Sequence, residues 1–152
     1  MRKIAHIGSL LKQIYRLYSV ELMHRLQAQG FTDLRASFLE ILMYLTEHES
    51  PSIKMIGVAC GLKKQTMTSH LNELEKRGYI SRQNSDYDKR EQLVVLTEYG
   101  AKFKVCLLQV INDIENEYTK KLGSVELDRV ELMLGNLHKE LQRGTEKKGS
   151  LI

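Results

Sequence analysis

Thiols are scarce in this chain of 152 residues: it holds two cysteines, and none precedes Cys60. Cys60 falls beside a turn and Cys106 along a helix, positions where a thiol packs and stays inert. The five histidines, His6, His24, His48, His70 and His138, are scattered, with no close pair at metal-ligand spacing, so no metal or other cofactor is expected. There is no glycine-rich phosphate loop, no Cys-His or Ser-His-Asp spacing, and no pair of carboxylates in an apolar setting, so the chain does not read as an enzyme. Long apolar runs are missing too. The longest, from Phe38 to Leu45, is broken by Glu40 and is too short to span a bilayer. Lys12 and Arg16 interrupt any signal-like segment after Arg2 and Lys3, so a cytoplasmic location without a membrane partner is expected. No internal repeat is visible, and the only proline, Pro51, marks the end of a helix.

What the chain does have is concentrated between Ser52 and Gly100. A short helix from about Ile53 to Cys60 is introduced by Ser52 as its cap and turns inward through Ile56 and Ala59. Gly61 permits a sharp reversal, and Leu62 fills the angle before a second helix. From Lys64 to Arg77 the apolar residues Met67, Leu71 and Leu74 form one stripe, while Gln65, Thr68, Ser69 and Asn72 form the opposite face. Those side chains suit the base edges of a major groove. Lys76, Arg77 and Gly78 then supply the cations and the left-handed residue that end a helix. Residues 79–82 and 93–96 read as strands around a polar loop, Asn84 to Glu91, making a hairpin with an exposed, charged tip.

Charge follows the same segment. Residues 52–92 carry eight Lys and Arg against five Asp and Glu, or +3 of the formal +4; residues 1–51 carry +1 and residues 93–152 balance to zero. Cations gathered in this way supply affinity for duplex phosphates by releasing counterions. A helix-turn-helix with a basic wing therefore points to a double-stranded DNA-binding regulator of transcription.

At this point the chain resembles the MarR family of winged helix-turn-helix regulators. The resemblance rests on Asp88-Lys89-Arg90, Leu96-Thr97 and Gly100, preceded by Leu74-Glu75-Lys76-Arg77-Gly78-Tyr79-Ile80, and it covers roughly residues 10–141. It implies that Arg90 reads a minor groove and that Asp88 orients it, which agrees with a charge-assisted pair and a narrow groove that attracts a cation. The chain departs from the family in having Ser69 where many members carry an arginine and Lys63 where they carry a serine. Direct readout then falls to Gln65, Thr68, Ser69 and His70, although His70 serves equally well as a half-buried packing residue. The expected DNA-binding set is Lys63, Lys64, Gln65, Thr66, Thr68, Ser69, His70, Arg82, Asp88, Lys89 and Arg90.

The flanks read as helices. Ile7, Leu10, Leu11, Ile14, Leu17, Tyr18, Leu22 and Leu26 recur at helical spacing before Gly30, and a second helix over about 33–47 is expected to be capped by Thr32. Phe103, Leu107, Val110, Ile111, Ile114 and Tyr118 mark a long helix, and Val130, Met133, Leu134, Leu137 and Leu141 mark another. A winged unit folds without these outer helices, so their stripes need a second copy of the chain, unless they complete a monomer's core. The fold class expected is mainly α (α+β), one domain over 1–152. It comprises a winged lobe over 32–100, dimerisation helices over 1–30 and 101–143, and a disordered tail over 144–152. A homodimer implies a pseudo-palindromic operator with half-sites about 10 base pairs apart.

The resemblance also implies repression as the commoner outcome, and a small aromatic or anionic ligand held between the dimerisation helices and the DNA-binding lobe. Tyr15, Arg16, Tyr18 and Phe38 lie on the elements that would line such a pocket, with ordinary core packing as the alternative. Some relatives respond to peroxide through a cysteine in the first helix; the stretch Gln13 to Tyr18 offers none. A winged helix used for protein contacts, as an adaptor or antagonist, is the competing function.

Overall fold

A computed structural model describes residues 2–149. In chain order the elements are α1 (Lys3–Ala28), α2 (Ala36–Glu47), α3 (Ile53–Cys60), α4 (Lys64–Lys76), β1 (Ile80–Asn84), β2 (Gln92–Leu96), α5 (Glu98–Leu122) and α6 (Ser124–Gly149). The chain divides into two compact units, residues 1–111 and 112–152.

The core of the first unit is apolar and aromatic. Leu22 and Leu26 of α1, Phe38, Ile41 and Leu42 of α2, Ile56 of α3, and Met67, Leu71 and Leu74 of α4 are all buried. Each set recurs three or four residues apart, so one stripe per helix turns inward. The inward position expected for Ala59 does not hold: Ala59 is exposed, because the covered side of this eight-residue helix runs through Ile53, Ile56, Gly57 and Cys60, with Ile56 the one buried residue. Beyond α4, Tyr79 is fully buried among the rings of Phe31, Tyr99 and Phe103, with centroids 5.0–6.4 Å from its own. Its hydroxyl donates to Asp33 Oδ1 at 2.7 Å, and burial followed by that carboxylate pushes the phenol well above its ordinary pKa.

That bond explains why α2 begins later than its sequence suggests. Asp33 is occupied by Tyr79 through its carboxylate and by the Arg77 guanidinium through its carbonyl, while Leu34 is buried. The chain stays extended through Arg35, and α2 starts at Ala36 with no side-chain cap, in place of the Thr32 cap. Arg77 does more than end α4. Its guanidinium also reaches Glu73 and lies 5.3 Å from the Phe38 ring.

The sheet has two antiparallel strands in the register Ile80↔Leu96 to Asn84↔Gln92. Its root is tied to α3. Val94 donates its N–H to the Pro51 carbonyl at 2.9 Å, and Ser52 bridges to Leu93. Proline suits this place because only its acceptor is required. At the far end, Thr97 caps α5 by accepting from the Gly100 N–H at 3.0 Å, and its hydroxyl donates to the Gly78 carbonyl.

In the second unit, the end of α5 meets α6 at Gly123, whose φ of +97° suits glycine alone. Helix α6 continues to Gly149, so the disorder expected from 144 does not extend over 144–149. Thr145 bonds back to the Leu141 carbonyl, and Glu146, Lys147 and Lys148 are good helix formers that prolong a helix already nucleated. Residues 150–152 lie outside the described residues.

Candidate nucleic-acid interface

The turn between α3 and α4 forms as its residues dictate. Ser52 Oγ accepts from the Met55 N–H at 3.1 Å, and Gly61 takes a left-handed conformation with φ +64°. Helix α4 then starts at Lys64 behind Lys63, with no side chain capping its first amides. Uncapped N–H groups at the positive end of a helix, flanked by two lysines, are suited to a phosphate.

Along α4 the outer face is continuous. Gln65, Thr66, Thr68, Ser69 and Asn72 are exposed, opposite buried Met67, Leu71 and Leu74. Thr68 spends its hydroxyl proton on the Lys64 carbonyl at 3.0 Å, so its oxygen is left as an acceptor only. His70 does not join this face. It is half-buried and meets the Phe38 ring edge-on at 5.3 Å, so the packing alternative describes its place. Arg82 is also not free, being bonded to Glu75 at 3.0 Å and to Asn72 at 2.8 Å. The ion pair holds the Glu75 carboxyl below its ordinary pKa.

The wing tip is ordered by its own polar groups. Ser85 is buried, and its hydroxyl accepts from the N–H groups of Tyr87 and Asp88 at 3.2 and 3.4 Å. The backbone closes the tip through Ser85 N–H to the Glu91 carbonyl at 2.9 Å. Asp88 does act on Arg90, but differently from the expected side-chain pair: its carboxylate accepts the Arg90 backbone N–H at 2.9 Å. No ion pair between these two side chains occurs among the described residues. The reason is distance along the chain, since a carboxylate two residues earlier reaches the amide in an Asx turn more readily than the guanidinium. Arg90 and Lys89 are left exposed.

Between wing and helices lies a cleft of about 650 Å³ whose cations are Lys54, Lys64, Lys89 and Arg90. Lys54, one of the eight cations of residues 52–92, lies outside the DNA-binding set expected from the sequence. The signal was present in its position two residues after the Ser52 cap, on the first turn of α3, but the approach of the wing to that turn depends on the Pro51–Val94 bond.

A second cavity, of about 510 Å³, separates α1 from α2 and α3, with Tyr15, Tyr18, Leu22, Met43, Tyr44 and Cys60 in its wall. Two of the four expected ligand residues fall here. Arg16 lies about 100° round α1 from Tyr15, exposed and away from the cavity. Phe38 is on the opposite side of α2 from Ala36 and Glu40, fully buried beside Arg77 and His70.

Both thiols are half-buried, and desolvation raises their pKa values; for Cys60 the Glu40 carboxylate adds to the effect. Less thiolate is therefore present at neutral pH than in a free cysteine. Alkylation by iodoacetamide at pH 7 is expected to be slower than that of glutathione and to climb as pH passes the ordinary thiol range. Labelling of either cysteine at the free-thiol rate at pH 7 would contradict this. Among the described residues, no three of His, Cys, Asp and Glu are grouped so as to hold a metal ion, and no helix is long and apolar enough to cross a membrane.

Comparison with known proteins agrees with this arrangement. Residues 29–91 match the model of the MarR family. The organic hydroperoxide resistance transcriptional regulator of Bacillus subtilis (strain 168) is 40% identical over 63 residues, 41% of this chain and 43% of that protein. The transcriptional repressor MprA of Escherichia coli (strain K12) is 30% identical over 120 residues, 78% of this chain and 66% of that protein. The matched stretch thus spans less than half of the Bacillus relative's length and about two thirds of the Escherichia one's. Among solved structures, a mutant MarR from E. coli complexed with operator DNA superposes with a TM-score of 0.76 at 23% identity, covering 89% of this chain and 95% of that one. With an uncapped reading helix, a closed polar wing tip and matches running through both, the chain belongs to the MarR family.

Proposed function

We propose that this protein is a sequence-specific double-stranded DNA-binding regulator of transcription, a repressor acting as a homodimer on a pseudo-palindromic operator. The observation that carries the reading is that Lys64 at the start of α4, Lys54 of α3, and Lys89 and Arg90 of the wing line one cleft, while α4 beyond Lys64 turns a polar face to solvent. Phosphates are met by Lys54, Lys63, Lys64 and the first amides of α4, and base edges by Gln65, Ser69 and Asn72. The names of the relatives support it, one being a transcriptional repressor and one structural neighbour a complex with operator DNA.

Dimerisation is supported by apolar residues that the single chain leaves uncovered. Ile4, Ile14 and Leu17 of α1 and Leu132, Met133 and Leu141 of α6 are each 56–70% exposed. Stripes of this size in a water-soluble protein mark contact surfaces. Selection of binding sites from random duplexes tests the whole reading. Enrichment of an inverted repeat, with affinity falling steeply as salt rises, is the expected result. Binding to no duplex at low salt would reject it, and a salt-independent protein partner would favour the adaptor instead.

The α1–α2–α3 cavity is the proposed regulatory pocket, and its chemistry departs from the anionic ligand that the family resemblance implies. Glu40 and Glu47 lie in its wall, Tyr15 donates to Glu40 at 3.2 Å, and among the described residues no Lys, Arg or His lines it. Tyrosine faces and carboxylates favour an aromatic cation or a neutral aromatic. In a thermal-shift comparison, an aromatic amine is expected to raise the melting temperature and benzoate to leave it unchanged. Stabilisation by benzoate alone would overturn this assignment.

A further inference from the structure

Arg82 leaves β1 and lays its guanidinium against α4. Nε donates to Glu75 Oε2 at 3.0 Å, and Nη2 donates both to Glu75 Oε1 at 3.5 Å and to Asn72 Oδ1 at 2.8 Å. The side chain is only 23% exposed. Its Nε–Nη2 edge, the one that would grip a phosphate in two-pronged fashion, is therefore in use.

This has a consequence for Asn72. A guanidinium is only a donor, so the amide atom that faces it must be the carbonyl oxygen. The orientation of the amide is thus fixed by chemistry, and its NH2 group is turned away from Arg82. Asn72 is exposed on the same face as Ser69 and Gln65, one and two helical turns earlier. An unrestrained asparagine reads adenine with both ends of the amide, accepting from N6 and donating to N7. Held in this way, it keeps its oxygen on the Arg82 side, with one lone pair taken, and turns its two N–H donors to the other side. The major-groove edge of guanine presents two acceptors, O6 and N7, whereas adenine places its own amino donor beside N7.

We infer that Arg82, steadied by Glu75, is a positioning residue that makes Asn72 read through its N–H donors, so that the base facing it in each half-site is guanine in preference to adenine. The inference rests on the DNA-binding function proposed above and adds to it a rule for one operator position.

Site selection with the wild type, Asn72→Ala, Arg82→Met and Arg82→Lys, followed by anisotropy titrations on single-base variants of the selected duplex, tests it. The wild type is expected to favour guanine over adenine about tenfold at one position of each half-site. Asn72→Ala flattens that position and no other. Arg82→Met brings adenine level with guanine there and leaves the salt slope unchanged. Arg82→Lys behaves like Arg82→Met, because one ammonium nitrogen does not reproduce the fork that spans Glu75 and Asn72. Thermal melts of each variant confirm that the compared proteins are folded.

Three results would overturn the inference. One is uniform weakening of all duplexes by Arg82→Met, with a salt slope reduced by about one and restored by Arg82→Lys, which is the signature of a phosphate contact. A second is Asn72→Ala leaving every position unchanged. The third is a wild type that selects adenine at the Asn72 position. A wild type that selects no sequence at all fails differently, since it removes the DNA-binding function and not merely the clamp.

Discussion

Replacing Arg90 by alanine is expected to lower operator affinity about ten- to hundredfold, while the melting temperature of the free protein stays within a degree or two of wild type. The structure separates the two effects. The shape of the wing tip is set by Ser85, which accepts from Tyr87 and Asp88, and by Asp88, which accepts the backbone N–H of Arg90. None of these bonds uses the Arg90 side chain, which is exposed. Truncating it removes a cation from the DNA side and nothing from the fold. Arg90→Lys should recover part of the loss, because charge survives while the planar fork that suits a narrow groove does not. Asp88→Ala is expected to weaken binding too, through a loosened tip that must be ordered on contact. Anisotropy titrations at two salt concentrations measure all three. Unchanged affinity in Arg90→Ala would remove the wing from the interface.

The second large effect is on stability. Gly100 has no room for a side chain: a Cβ at that position would lie 2.0 Å from the Tyr79 carbonyl oxygen and 3.1 Å from a Leu96 methyl. The obstacle is backbone, and that carbonyl also accepts the Thr97 N–H at 3.1 Å, so it has little freedom to retreat. Tyr79 itself is wedged among Phe31, Tyr99 and Phe103. Gly100→Ala must push α5 away from the end of α4, at a cost of about 3 kcal/mol. For a protein of this length, that corresponds to a melting temperature lower by roughly 6–12 °C. Calorimetry or a dye-based melt checks it, and a shift below two degrees would show that the approach of α5 is softer than the geometry indicates.

The same glycine shows how much of the fold was legible. Leu96, Thr97 and Gly100 stand out in the sequence as a motif, but nothing in their spacing says that the threonine caps α5, bonds the Gly78 carbonyl, and leaves the glycine against Tyr79. Local features were readable because their causes are local. Ser52 caps α3, Gly61 turns left-handed, Gly78 ends α4, and the Met67–Leu71–Leu74 stripe is buried, each decided by a few neighbouring residues. Long-range partners were not. Asp33 was read as the start of α2, yet Tyr79 and Arg77, more than forty residues later, claim it. Arg82 was read as a DNA contact because charge shows in a sequence and an ion pair across elements does not. Phe38 and Arg16 were placed at the cavity by element alone, and the faces of α1 and α2 put them elsewhere.

The anchoring of the wing at Pro51 bears on which partner yields when protein and duplex meet. The Val94 amide and the Leu93 bridge fasten the hairpin to the residues that open α3, and Arg82 ties β1 to Glu75 and Asn72 of α4, so the wing is held to both helices. Bending a stretch of DNA costs a few kcal/mol, about 1–6 over a typical site. If the proposed function holds and the wing keeps this angle on contact, the nucleic acid is the partner that bends. An operator would then be chosen partly by how readily its untouched base steps flex, so that a consensus of contacted letters alone would under-describe it.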